Sequence, residues 1–179
     1  MQRLLSEFDS AGRRAQSLAQ GLSIVQLNWS PREDAWSIGQ CLQHLLTANE
    51  VYLPRLAASL NGQQKSRVQE IIPGWFGRWF IRSYIAPSAQ SRRGRAPKKI
   101  EPSRHIEASV VESFLRSNQA ALQLVKDASD YDVNRIRFKN PFIPLLRFTV
   151  GTGLEIVSKH QHRHLLQAER VKDCTDFPA

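Results

Sequence analysis

Lys159-His160-Gln161-His162-Arg163-His164-Leu165-Leu166-Gln167 decides how this chain is read, because it continues an apolar stripe of helical period and carries two histidines four residues apart. From about Thr149 to Lys172 the stripe is Val150, Leu154, Val157, Gln161, His164, Leu165, Ala168 and Val171, which predicts one long helix. Side chains at i and i+4 lie one above the other, with Cβ atoms about 5–6 Å apart, so His160 and His164 can reach one metal ion. His162 points away and reads as a solvated surface residue. A hydrated helix face shows the same i,i+4 spacing, so the pair is half a site. Neutral imidazole is a common metal donor, and a catalytic ion usually takes three protein ligands and keeps a position open.

Three further stretches share the helical period. The first predicted helix runs from about Arg3 to Leu22, with Leu4, Phe8, Ala11, Ala15, Leu18 and Leu22 on one stripe and Gly21 as its stop. The second is capped by Ser37, runs to about Leu60 and ends at Asn61-Gly62. Its stripe is Ile38, Cys41, Leu42, Leu45, Asn49, Tyr52, Leu53 and Leu56, and Pro54 inside it predicts a kink. The third runs from Ser109, opened by a predicted capping box of Ser109 and Glu112, to about Ser129. Val111, Phe114, Leu115, Asn118, Leu122 and Val125 face inward on it.

Residues 61 to 102 form a long connection containing Pro73, Pro87, Pro97 and Pro102, too long to be structureless. Trp75-Phe76-Gly77-Arg78-Trp79-Phe80-Ile81 predicts a short helix inside it, and an irregular segment with Asn140-Pro141 and Pro144 precedes the last helix. No run alternates apolar and polar residues, so no sheet is expected and the class is all-α.

A length of 179 residues fits one domain, 1–179, able to bury roughly 70% of its unfolded surface without a disulfide or a structural metal. A metal in this chain would therefore be functional. Cys41 and Cys174 are too few and too far apart for a disulfide framework, and no leader or long apolar run appears, so a soluble cytoplasmic protein is expected. The net charge of +9, from 25 Lys plus Arg against 16 Asp plus Glu, is local. No acidic residue lies between Glu70 and Glu101, while Arg78, Arg82, Arg92, Arg93, Arg95, Lys98 and Lys99 all fall there. Aromatics interleaved with arginines can stack on bases or sit at a membrane interface. The plain alternative is aromatics packed over the end of the helices with the arginines solvated, and a third is a rim that attracts an anionic cosubstrate.

His44, in Gln40-Cys41-Leu42-Gln43-His44-Leu45, sits just off the second stripe. Set opposite His160 and His164 in a bundle groove it would complete three converging imidazoles; alone it reads equally as a boundary histidine bonded to a neighbour. Cys41, one turn earlier, is a small buried apolar residue or else a fourth ligand or nucleophile. Asn49 and Asn118 lie within apolar stripes and need partners, since an unpaired buried amide costs about 1–3 kcal/mol. Contacts around a ligand or substrate and ordinary buried hydrogen bonds are the alternatives. Gln167 lies on the His160 side and is a candidate to orient a ligand or substrate; Glu155 faces elsewhere, and His105 is expected to be exposed.

Trp36-Ser37-Ile38-Gly39-Gln40-Cys41-Leu42-Gln43-His44-Leu45, followed by Asn140-Pro141 and then by His160 to Gln167, resembles the DinB-like (damage-inducible) family of bacterial four-helix-bundle metalloproteins. The resemblance covers nearly the whole chain, including Ala96-Pro97-Lys98-Lys99-Ile100-Glu101-Pro102 before the third helix. It implies an up-down-down-up bundle with a long connection between its second and third helices, frequently a homodimer. It also implies that the family's three histidine ligands fall on His44, His160 and His164, with zinc or nickel as the divalent ion of a metal-dependent enzyme for a small-molecule substrate. Some relatives activate a low-molecular-weight thiol for transfer or isomerisation, and no general base is visible here to separate thiol transfer from hydrolysis. The competing expectation is a non-enzymatic binding module that uses segment 75–99 for nucleic acid or an anionic membrane surface.

Overall fold

Four long helices form a bundle in the computed structural model, which describes residues 1–68, 70–86, 96–143 and 145–179. In chain order the elements are α1 (Gln2–Ala19), α2 (Ile24–Asn28), α3 (Ile38–Leu60), α4 (Trp75–Phe80), α5 (Val110–Ala128), β1 (Arg137–Lys139), β2 (Arg147–Thr149) and α6 (Val150–Lys172). A π-helical turn, Ile81–Ile85, follows α4, and a 3-10 turn, Lys98–Ile100, precedes α5. Arg92, Arg93, Arg95, Pro87 and Pro144 lie outside the described residues.

The caps show why the long helices begin where they do. At α3, Ser37 Oγ accepts from the Gln40 amide while the Gln40 side chain accepts from the Ser37 amide, which satisfies two otherwise unpaired donors. Thr149 Oγ1 accepts from the Thr152 amide and starts α6. α3 continues through Pro54.

The expected capping box of Ser109 and Glu112 is absent. Ser109 already has helical angles, φ −60° and ψ −13°, and the first amides of α5 bond to the Glu107 and Ala108 carbonyls instead. α1 ends at Ala19, earlier than expected, and Gly21, at φ +74°, turns the chain into α2. That five-residue helix, capped by Ser23, is too short to register as a period in the sequence.

The expectation of no sheet is corrected as well. β1 and β2 pair antiparallel with Phe138 opposite Phe148, but three residues per strand cannot display alternation. Asn140 holds the ribbon's loop: its Oδ1 accepts from the Phe142 and Ile143 amides, and its Nδ2 donates to Tyr52 Oη on α3 at 3.0 Å.

Contacts between the helices set their directions. α1 runs parallel to α6, since Arg3 pairs with Glu155, Lys159 with Glu7 at 2.8 Å, and Arg14 with Glu169 through two bonds of 2.8 Å. α3 runs antiparallel to α6, with His44 beside His160 and Leu56 against Gly153. α3 runs parallel to α5, because Leu45 shares a cluster with Phe114 and Leu56 shares the other with Val125. The topology is therefore up-down-down-up. Parallel α3 and α5 force the chain back along the bundle between them, roughly 35 Å for a helix of 23 residues, and the long connection makes that crossing.

The apolar core falls into two clusters. Between them Asn118 Nδ2 donates to the Phe8 carbonyl at 2.8 Å, Asn49 Nδ2 donates to Ser117 Oγ at 3.0 Å, and Gln161 Nε2 approaches Asn49 Oδ1 at 3.4 Å. The Asn118 and Gln161 side-chain oxygens find no partner among the described residues, at a cost of about 1–3 kcal/mol each. Gly153 lets α6 close on α3, since a Cβ there would stand 2.5 Å from Leu56 Cδ2 and 2.6 Å from the Phe138 ring. Among the described residues no helix is long and apolar enough to cross a membrane.

Candidate metal centre

His44 projects from α3 and His160 and His164 from α6, and the antiparallel packing of these helices turns the three rings toward one point. One ring nitrogen from each lies within 4.8 Å of the others. His44 Nε2 is 3.0 Å from His160 Nε2, and the ring centroids are 4.5 to 4.8 Å apart.

Two of the rings have their second nitrogen engaged. His44 Nδ1 donates to the Ile100 carbonyl at 2.7 Å, and His164 Nδ1 donates to Gln167 Oε1 at 3.0 Å. Both partners are oxygens that only accept, so each Nδ1 carries the proton and each Nε2 keeps its lone pair for the centre. Partners of this kind fix the tautomer and plane of a metal-binding histidine. Nitrogens converging at this spacing, two of them on imidazoles with fixed tautomers, fit a divalent ion.

Burial completes the electrostatic picture. His44 is 2% and His164 9% exposed, while His160 is half-buried. Trp36 covers one side, its ring 4.7 Å from that of His44 and 5.5 Å from that of His164. Burial pushes all three imidazole pKa values below 6.5 and the Arg163 charge pushes each further; His44 and His164 add to the shift at His160, and His44 adds to that at His164, which falls to about 3. All three are therefore neutral at pH 7, the form that binds a metal.

The other sequence candidates divide. Gln167 touches His164 as described. Cys41 is fully buried in the apolar cluster with Leu42, Leu45 and Phe114, and that burial pushes its thiol pKa far up, so it stays a protonated core residue and joins no ligand group. Asn49 and Asn118 belong to the polar layer between the core clusters, with Asn118 tied to α1. His162 is exposed and meets Arg14 at 2.8 Å; Glu155 is buried against Arg3; His105 is exposed near Glu107. Truncating Gln167 to alanine is expected to weaken divalent-metal affinity about 10- to 100-fold while leaving stoichiometry at saturation unchanged, as read by competition with a chromogenic chelator.

Three contributors were not assigned a role from sequence. The Ile100 carbonyl leaves no sequence signal, because any residue supplies one. Trp36 precedes the Ser37 cap of α3, and its place over His44 and His164 depends on the packing of α3 against α6. Arg163 stands three residues after His160, on the same arc of α6, and a helical wheel centred on the histidines would have found it.

A family model described as the DinB superfamily matches residues 7–168. No curated protein matches the chain. Among solved structures, YfiT from Bacillus subtilis, described as a probable metal-dependent hydrolase with an unusual four-helix bundle topology, superposes with a TM-score of 0.61 at 13% identity. The match covers 96% of this chain and 85% of that one, and at such identity it shows a shared fold.

Proposed function

From the premise that the chain belongs to the DinB superfamily, we propose that His44, His160 and His164 hold one divalent ion, zinc or nickel, in an enzyme that activates a small nucleophile toward a small-molecule substrate. The observation that carries this proposal is the convergence of three neutral imidazoles whose outer nitrogens, on His44 and His164, are already fixed. An ion held there would supply Lewis acidity, making a thiol or water nucleophilic near neutral pH.

The chain's own residues do the rest. Ile100 and Gln167 hold the ring planes, Trp36 excludes water from one side, and the half-buried His160 leaves the other side open to substrate. Three protein ligands leave a position for an outside group. No Asp or Glu among the described residues joins the three imidazoles to act as a general base. A thiol, with an ordinary pKa of about 8.5, needs less help to ionise than water at about 15.7, which sets a low-molecular-weight thiol ahead of water as the nucleophile. A homodimer in the cytoplasm belongs to the same proposal.

The test is metal analysis of protein purified without a histidine tag, followed by thiol-transfer and hydrolysis assays with several cellular thiols. The expected result is about one ion per chain and an activity lost to chelator and restored by zinc or nickel. A chain that takes up no divalent ion sinks the proposal.

A second function, attachment to nucleic acid or to an anionic membrane surface, is favoured by the exposure of Trp75 (76%), Tyr84 (58%) and Trp79 (42%) beside the exposed Arg78 and Arg82. Such binding would fall steeply with salt and ignore the chelator in the same preparations.

A further inference from the structure

Arg163 is a half-buried cation in the middle of the histidine run. It follows His160 by three residues and precedes His164 by one, so on α6 the three share an arc of about 100°. Its Nη1 donates to the Tyr84 carbonyl at 2.9 Å, which anchors the side chain to the π-helical turn Ile81–Ile85. Its charge is felt by all three imidazoles.

No carboxylate among the described residues pairs with it. The acidic groups on or against α6 are committed elsewhere: Glu155 to Arg3, Glu7 to Lys159, and Glu169 to Arg14. A partly desolvated guanidinium without a counter-ion is costly, and a divalent ion beside it would raise that cost. An anion at the open side of the centre relieves both charges at once. With Nη1 on Tyr84, Nε and Nη2 remain along one edge of the fork, the geometry that matches a planar carboxylate through two parallel bonds.

We propose that Arg163 is the anion-binding subsite of this centre and that the small molecule bound there carries a carboxylate within a few bonds of its thiol or other reacting group. The assignment rests on the metal-centre function proposed above. Arg163 touches the bound molecule and sets its specificity; His44, His160 and His164 remain the ligands.

The test uses the full chain loaded with cobalt(II), whose visible spectrum reports both uptake of the ion and ligation by a thiol. Mercaptoacetate and neutral 2-mercaptoethanol, similar in size, are titrated at fixed low ionic strength into the wild type, Arg163→Gln and Arg163→Lys. The wild type is expected to prefer the carboxylate-bearing thiol by at least about 10-fold. In Arg163→Gln the preference collapses toward parity with cobalt uptake unchanged, and in Arg163→Lys, which keeps the charge without the fork, it falls partway. A role confined to tying the Ile81–Ile85 turn to α6 would shift the melting temperature of Arg163→Gln and leave the preference in place. Cobalt uptake without a preference, or a preference that survives in Arg163→Gln, overturns the anion subsite while the metal centre stands. Absence of cobalt uptake removes both.

Discussion

His160→Ala is expected to lower bound divalent metal from about one ion per chain to under about a tenth, because truncation removes one of three donors outright. His160 is the informative position of the three. Its Nε2 faces His44 Nε2 at 3.0 Å, so it stands at the convergence point, yet its ring is half-buried and its loss opens less of a core cavity than the loss of His44 would. Changes to groups that only support a ligand already cost about 10- to 100-fold in affinity, so loss of a ligand should exceed that range. Whatever activity the thiol-transfer and hydrolysis assays detect should fall with metal content, and the helical circular dichroism signal should be unchanged. His162→Ala is the matched control, two residues away on the same helix, exposed and bonded to Arg14. Equal metal content in wild type and His160→Ala would remove the three-histidine centre.

Acid is the second large lever, and its direction follows from the buried imidazoles. The folded-state pKa values of His44, His160 and His164 lie below the unfolded value of about 6.5, chiefly through burial. Between the two values the unfolded chain binds more protons than the folded one, so stability rises with pH across that window. The contribution is fully present above pH 6.5 and is lost as pH falls through the folded values. His164, with a folded value of about 3, should alone cost the metal-free protein about 2 kcal/mol between pH 7.5 and 5. Urea unfolding of metal-free protein at pH 7.5 and 5.0 measures it. Replacing all three histidines with glutamine should flatten the dependence, and an equal loss in that variant would assign the acid sensitivity elsewhere. Bound metal should shift the acid transition to lower pH, because protons and metal compete for the same nitrogens.

What could be read from the residues alone was periodic or local. The helical stripes set α1, α3, α5 and α6 to within a few residues, the Ser37 cap stands at the start of α3, and the i,i+4 spacing puts His160 and His164 on one face. Helix propensity, capping and amphipathic period depend on neighbours within a few positions, so a linear reading reaches them. The family motifs carried the rest of the bundle and its topology. The Ser109 capping box failed because a tight turn before α5 brings the Glu107 and Ala108 carbonyls to amides that Ser109 would otherwise have served. The short ribbon and α2 escaped because neither is long enough to show a period.

Only the tertiary structure decided which groups surround the histidines. The Ile100 carbonyl reaches His44 across 56 positions, Trp36 lies over both His44 and His164, and Tyr84 holds Arg163 from the far side of the connection. Asn118, equal to Asn49 as a candidate in the sequence, is drawn to the Phe8 carbonyl of α1, and Cys41, one turn from His44, turns into the apolar cluster. A residue's helical face is set by its neighbours in the chain. What that face meets is set by how α6 slides against α3 and where the crossing connection comes to rest, and no local pattern encodes that register.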